Sequence, residues 1–388
     1  MLKRWSKGLL LVSAAVSLLV ACGKKQSEDT PQPTSYSPSV YIGSDNGVLY
    51  AYHPSTGAKN WELGLPASIV ASPLFLNGKL YVGTTNNPPF AGLRDTLYKI
   101  NALTGAIIKK VRFPGAAPFS ILATPVADGR LYYVATATSD NALYAVDTTT
   151  DTVVWRYPAD GPLQASPTVY NGQVYFASMN GTIYCVDKTA GTLTWSYSAG
   201  PGKSFASSPS ISAPYLYIGC SDSAVYCNYL SNGTNKWMFK TGGAINSSPA
   251  AGYGKCIVGS NDFKVYCIDT TTGLKIWADS THSNVNSSPI IYGQVVYIGS
   301  NDYNLYALNI INGGVKWKFS TNGLIKSSPL SYKGTIYVGS YDKYFYAIDS
   351  AAGTLKWSTN VNGQMQCSPV LDDFSGIKYN SQVSGFTN

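Results

Sequence analysis

The sequence predicts an all-β fold, an eight-bladed β-propeller of four-stranded antiparallel blades, on the strength of three recurring registers. A Ser/Thr-Pro pair ends at Pro73, Pro125, Pro167, Pro209, Pro249, Pro289, Pro329 and Pro369, the last five spaced by 40 residues. A tyrosine recurs at Tyr50, Tyr98, Tyr144, Tyr184, Tyr226, Tyr266, Tyr306 and Tyr346. The third register holds Trp61, Trp155, Trp195, Trp237, Trp277, Trp317 and Trp357, with Lys109 in the place of the missing tryptophan. Composition agrees: 13% aromatic and only 12% charged residues favour short strands and turns over helices.

Each unit divides into four short runs. In the unit from Ser327 to Trp357 they follow Pro329, surround Tyr337, surround Tyr346 and lead into Trp357, with turns at Gly334, Tyr341-Asp342 and Gly353. Four strands at this period make a propeller blade, and a blade cannot bury both faces without neighbours in a ring. The first unit opens at Tyr41-Ile42-Gly43-Ser44 with no room for an inner strand, whereas the last leaves Cys367-Ser368-Pro369-Val370-Leu371 unpartnered. The C-terminal strand is therefore expected to complete the first blade and remove both sheet edges. The propeller is assigned to residues 40–371, and the tail 372–388 only weakly echoes a ninth repeat start.

Each tryptophan sits eight residues after an Asp/Asn position and four after a Gly position, as in Asp187, Gly191, Trp195 and Asp269, Gly273, Trp277. The carboxylate is expected to bond the turn backbone, the glycine to supply a positive φ, and the indole to pack across the blade interface. Departures are His53 and Tyr229 at the Asp position, Asp151 at the Gly position and Lys109 at the Trp position, which puts docking of the second blade in question. The spacing, Ala-x-Asp-x-x-x-Gly-x-x-x-Trp, resembles that of the PQQ-like (quinoprotein alcohol dehydrogenase-like) propeller repeats from about Tyr41 to Pro369. No Gly-His and Trp-Asp pair recurs as in WD repeats.

Residues 1–21 read as a lipoprotein signal peptide: Lys3, Arg4 and Lys7 precede an apolar run from Leu9 to Val20 that is short for a bilayer span. The run ends in Leu19-Val20-Ala21-Cys22, which resembles a bacterial lipobox and makes Cys22 the expected lipidation site. Gly23 and Lys24 follow where inner-membrane retention uses Asp, so the expected address is the outer membrane, at its periplasmic face or the cell surface. Residues 22–39 form a polar, Pro-containing tether expected to be disordered. The net charge of +8 includes three positives in the leader and no basic stripe, so nucleic acid is not an expected partner.

The resemblance raises an enzyme, because quinoprotein dehydrogenases hold calcium and quinone with a Glu, an Asn and a catalytic Asp. After the leader only Glu28 and Glu62 remain, no adjacent cysteine pair exists, and Asp222, Asp262, Asp302 and Asp342 fall at one repeated turn position. His53 and His282 are the only histidines, one at a turn-Asp position and one in an inter-blade connection. No catalytic residue, metal or cofactor is therefore expected. The hydroxyls at Ser72, Thr124, Ser166, Ser208, Ser248, Ser288, Ser328 and Ser368 read as a repeat feature. Cys185, Cys227 and Cys267 follow the repeat Tyr and read as small core fillers.

Function is sought where the units differ. Beside an apolar ring at Ile69, Ile121, Leu163, Phe205, Ile245, Val285, Ile325 and Met365, the next residues include Gln164, Asn246, Asn286, Lys326 and Gln366. Alternation along the inner strand would turn these five toward the central funnel, where they either line a solvated channel or take a polar ligand. The largest insertion, residues 86–95, carries Pro88, Pro89, Phe90, Leu93 and Arg94, which suit a partner-binding loop or a patch for the tryptophan lost at Lys109.

A lipobox with eight PQQ-like blades resembles the scaffold lipoproteins of the outer-membrane β-barrel assembly machinery. That resemblance implies a monomeric, non-catalytic scaffold for envelope proteins, with strand addition as one binding mode. The alternatives are a ligand- or glycan-binding sensor lipoprotein and, less favoured, a PQQ-dependent dehydrogenase. Replacing Cys22→Ser is expected to release the protein from the membrane fraction, because the lipid is the only proposed anchor. Sedimentation with membranes equal to wild type would refute it.

Overall fold

The computed structural model describes residues 38–85, 96–114, 119–138, 140–372 and the pair 379–380. Eight antiparallel blades follow one another around a ring, seven of them four-stranded sheets and the first extended to five strands, and among the described residues no helix is long and apolar enough to cross a membrane. A representative blade, the eighth, runs Leu330–Tyr332, Thr335–Gly339, Tyr344–Asp349 and Leu355–Asn360, each strand pairing with the one before it. The second and third strands are almost wholly buried because both of their faces meet neighbouring blades. The outer strand alternates exposed and part-buried residues, as expected of a half-solvated edge.

The ring closes as the sequence predicts. Val370–Asp372 pairs antiparallel with Ser39–Gly43, joining Val40 to Leu371 and Tyr41 to Val370, and so supplies the inner strand of the first blade. The strand runs one residue past the expected boundary. The tail, which the sequence left unplaced, adds a fifth strand to this blade: Tyr379–Asn380 pairs with Val370 and Leu371. The third blade is accompanied by a small two-stranded sheet of Phe119–Ser120 and Ala137–Thr138.

Since Ser39–Gly43 occupies the second-strand position, the chain enters from the face that carries the inner-to-second and third-to-outer turns. We call this the entry face. The opposite face carries the second-to-third turns and the connections between blades. Backbone bonds join those two loop types, such as Thr281 N to Phe263 O at 2.7 Å and Thr321 N to Tyr303 O at 2.8 Å.

Near the axis the repeated hydroxyls have a role their sequence register did not reveal. The amide of each donates to the hydroxyl oxygen of the next blade, from Thr124 through Ser166, Ser208, Ser248, Ser288, Ser328 and Ser368 to Ser72, at 2.8–3.0 Å. These seven links satisfy amides that the inner strands leave unpaired, in a region with little water to replace them.

Farther out, the tryptophans dock blade to blade. Each indole nitrogen donates to a carbonyl of the following blade at 2.8–3.1 Å: Trp61 to Ala102, Trp155 to Lys188, Trp195 to Leu230, Trp237 to Thr270, Trp277 to Ile310, Trp317 to Ser350 and Trp357 to Pro54. Four of these carbonyls also accept a tyrosine hydroxyl, from Tyr41, Tyr133, Tyr297 and Tyr337. The glycine has the expected positive φ and receives the indole of the preceding blade: a Cβ on Gly105 would stand 2.7 Å from the Trp61 ring, at a φ of +71°. The acidic position does cap the turn, and the Thr149 and Thr150 amides hold the Asp147 carboxyl down at about 2.

The two departures at Lys109 and Asp151 turn out to be one feature. They face each other across the seam between the second and third blades, where Trp would meet Gly. The Asp151 carboxylate pairs with Lys99 at 2.9 Å and Lys109 at 3.5 Å; the Lys99 and Asp151 side chains are only 6% and 4% exposed. Lys99 Nζ also reaches the Thr148 carbonyl, the position a docking indole would use, and Lys109 Nζ donates to Thr150 O at 2.9 Å. Burial presses the Lys99 ammonium toward neutrality, but the hydrogen bond and charge of Asp151 raise its pKa overall.

Truncation after Gln366 is expected to unfold the ring cooperatively, since it removes the inner strand and Ser368; a melting curve equal to full length would disprove closure through this strand. At the charged seam, Lys99→Ala should cost about 3 kcal/mol by leaving the buried Asp151 with only the more distant, half-exposed Lys109. Adding Asp151→Gly should recover most of that in urea denaturation, and simple additivity of the two losses would show that the pair is not coupled.

Candidate functional site

Side chains free to act must be those that the ring does not consume. The repeated aspartates are consumed: Asp222, Asp262, Asp302 and Asp342 accept the hydroxyls of Tyr226, Tyr266, Tyr306 and Tyr346 at 2.6–2.7 Å. Asp262, Asp302 and Asp342 also accept an amide from the neighbouring connection at 2.7–2.9 Å, so each carboxylate ties a turn to the next loop. His53 accepts the Thr56 amide through Nδ1 at 3.3 Å, doing the work of the turn aspartate it replaces. His282 is largely exposed, with Nδ1 3.9 Å from Asp302.

Cys185, Cys220, Cys227, Cys256, Cys267 and Cys367 are buried and unpaired. Burial pushes the Cys185 thiol up to about 11 and those of Cys227, Cys267 and Cys367 up to about 12, which disfavours the nucleophilic thiolate near neutral pH. Among the described residues no group of three or more His, Cys, Asp or Glu is arranged to hold a metal ion.

The five polar residues assigned to the funnel do form part of a repeated position, but not for the reason alternation supplied. The inner strands are only three residues long, for example Thr168–Tyr170 and Ile290–Tyr292, and begin after the Ser-Pro pair. Gln164, Asn246, Asn286, Lys326 and Gln366 stand before it, in the connections between blades, two residues from the axial hydroxyl ring. What orients them is the preceding apolar residue: Leu163, Ile245, Val285, Ile325 and Met365 are buried to 0–1% exposure and pin each connection. Asn246 and Asn286 come together across two blades, with Nδ2 to Oδ1 at 3.5 Å, and the Lys326 ammonium lies 4.8 Å from the centre of the Tyr341 ring.

The turns beside this rim hold residues that sequence reasoning passed over. Asn261 and Asn301 occupy the position before the repeated aspartate, and both have a buried Oδ1 without a hydrogen-bond partner. On the same turns Phe263 and Tyr303 are 46% and 47% exposed, at φ of +69° and +73°, where the first and fourth blades use Gly47 and Gly181. The discoverable clue was the exchange of glycine for an aromatic at a turn that needs a left-handed residue. Together these groups give the sixth and seventh blades a surface of amides and exposed rings with no uncommitted carboxylate on the turn.

Pro88, Pro89, Phe90, Leu93 and Arg94 lie outside the described residues. The strands on either side of the segment in sequence are Lys79–Gly83 and Leu97–Asn101. The reading of this loop as a patch for the missing tryptophan meets a seam that Lys99, Lys109 and Asp151 already occupy.

Comparison with known proteins agrees with this architecture. No protein of curated function matches the chain in sequence. Among solved structures, BamB from Moraxella catarrhalis is similar with a TM-score of 0.63 at 19% identity, over 83% of this chain and 91% of that one. The computationally designed Ika8 protein is similar with a TM-score of 0.67 at 15% identity, over 82% of this chain and 98% of that one. At such identities the likeness establishes the fold. The family model described as outer membrane protein assembly factor BamB matches residues 23–108, 93–244 and 229–368, nearly the whole repeat region, and the chain therefore belongs to that family of PQQ-like β-propellers.

Proposed function

We propose that the protein is a non-catalytic, lipid-anchored scaffold that binds other proteins at the bacterial outer membrane and serves the assembly of β-barrel proteins there. The observation that carries this reading is the family match running through all eight blades, together with a ring whose repeated carboxylates, hydroxyls and thiols are spent on holding it together. Such a body is rigid and presents loops on two faces, which suits it to position partners. The partner-binding loop of the second blade, with Phe90, Leu93 and Arg94 as anchors, and the connections between blades are the surfaces assigned to that contact.

A ligand-binding reading has its own support in the unpartnered Asn261 and Asn301 oxygens beside the funnel rim. A buried acceptor without a donor is costly, and a bound hydroxyl or amide would relieve it. Under that reading the sixth and seventh blades take a small polar ligand or glycan while the rest of the ring stays a scaffold.

The test uses the purified mature chain and the purified barrel-inserting subunit of the assembly machinery. Co-elution in size-exclusion chromatography is expected, with Phe90→Ser plus Arg94→Glu weakening it at least tenfold and leaving the melting curve in place. In parallel, PQQ with calcium is expected to give no stoichiometric chromophore and no dye-linked dehydrogenase activity. Failure to co-elute would remove the assembly role, and calcium-dependent quinone uptake would overturn the non-catalytic assignment.

A further inference from the structure

Among the described residues exposed apolar side chains occur in most blades, Tyr170 and Leu193 on the entry face of the fourth included, and the three most exposed lie in the sixth and seventh. In the sixth and seventh blades Leu274, Ile311, Tyr253 and Tyr292 are 68%, 60%, 54% and 47% exposed; the first three sit in turns of the entry face, and Tyr292 ends the inner strand that leads into such a turn. Tyr229 of the fifth blade and Leu355 of the eighth extend them to either side. Backbone bonds tie the two turns within each of these blades, Thr270 N to Gly254 O and Ile310 N to Gln294 O at 3.1 Å. Tryptophan bonds then tie one blade to the next, Trp237 to Thr270, Trp277 to Ile310 and Trp317 to Ser350.

Charge on this arc has one dominant sign. Lys236, Lys255, Lys275, Lys333 and Lys356 stand on the entry face of these blades, against Asp269 and Asp349 among the described residues. Both aspartates are engaged by turn amides, Asp269 by Thr271 and Thr272 and Asp349 by Ala351 and Ala352, and Lys356 adds a contact to Asp349 at 3.2 Å. The opposite face of the same blades has an aspartate in every second-to-third turn. The entry face is also where the chain joins the ring: Ser39 begins the second strand of the first blade, next to the eighth.

We propose that the entry face of blades five to eight is a bilayer-contact surface that takes anionic phospholipid, with Leu274 and Ile311 dipping into the headgroup region. Tyrosines favour the membrane–water boundary, where the ring is sheltered and the hydroxyl stays wet, and nearby lysines are drawn to a negative leaflet. This inference rests on the envelope reading above and deepens it. A surface-borne attraction on the face where Ser39 enters the ring would set the orientation of the propeller against the bilayer. The opposite face, with Asn246, Asn286, Asn261 and Asn301, would then point away from the membrane toward partners.

The experiment uses the unlipidated mature chain, residues 23–388, which contains the whole closed ring, and so does not depend on Cys22. Vesicles of phosphatidylethanolamine with phosphatidylglycerol are floated with the protein at low and high salt, beside vesicles of phosphatidylcholine alone. Binding is expected to the anionic vesicles only, weakened by salt, and reduced at least tenfold in Leu274→Ser/Ile311→Ser and in Lys255→Glu/Lys275→Glu. Phe263→Ser/Tyr303→Ser, on the opposite face, should bind as wild type. Absence of binding at low salt, or equal loss from both faces, overturns the proposal. So does a Leu274→Ser/Ile311→Ser variant that changes only the oligomeric state, since the strip would then be a contact between copies. A Cys22→Ser chain that remains in membranes would sink the anchor instead, and the vesicle result would stand apart from it.

Discussion

Everything in this ring depends on one repeated contact, an indole laid over a glycine turn of the next blade with its nitrogen on that turn's carbonyl. A blade has two apolar faces and cannot be stable alone, so the contact between blades must be both large and directional. The indole supplies the area, and the carbonyl supplies the direction. Where Tyr41, Tyr133, Tyr297 or Tyr337 shares that carbonyl, both of its lone pairs are satisfied in a dry seam. The glycine is demanded twice, by its left-handed backbone and by the ring pressed against it.

The charged seam between the second and third blades shows what happens when that contact is lost. Lys109 cannot fill the indole's space, so Asp151 replaces the glycine and Lys99 replaces the small residue that other blades place after the repeat tyrosine. A hydrophobic dock becomes a buried ion pair with hydrogen bonds to two carbonyls. Such a pair adds little to stability compared with a packed apolar group, but removing one partner is expensive. The seam is thus the point of the ring most sensitive to single substitutions and least dependent on apolar area. It belongs to the blade that carries the long insertion, so the blade with the most unusual loop is also the one docked by different chemistry.

Closure sets the two faces apart and thereby gives the molecule an orientation. Because the C-terminal strand completes the first blade, the chain enters at a second strand, and the entry point defines one face. That face gathers exposed aliphatic and tyrosine side chains with lysines. The other gathers aspartates tied to tyrosines and the amides of the sixth and seventh blades.

The sequence by itself determined the blade count, the strand pattern and the closure, because each is a matter of period: a proline, a tyrosine and a tryptophan returned eight times, with a single substitution, and a strand was left over at one end. It also exposed Lys109 and Asp151 as departures, but as two separate ones. Only the tertiary structure could pair them, since the residues lie in different blades and meet across a seam that no period reveals. The same holds for the axial hydroxyls, whose register was plain at Ser328 and Ser368 but whose partners are forty residues away. The alternation used to turn five polar residues toward the funnel does not apply, because period-two alternation holds only within a strand and Asn246 and Asn286 sit in connections held by a buried neighbour. Phe263, Tyr303, Asn261 and Asn301 were not found at all, since their significance lies in backbone sign, exposure and an unmet acceptor. Those are properties of atoms placed in space, and a repeat register carries no record of them.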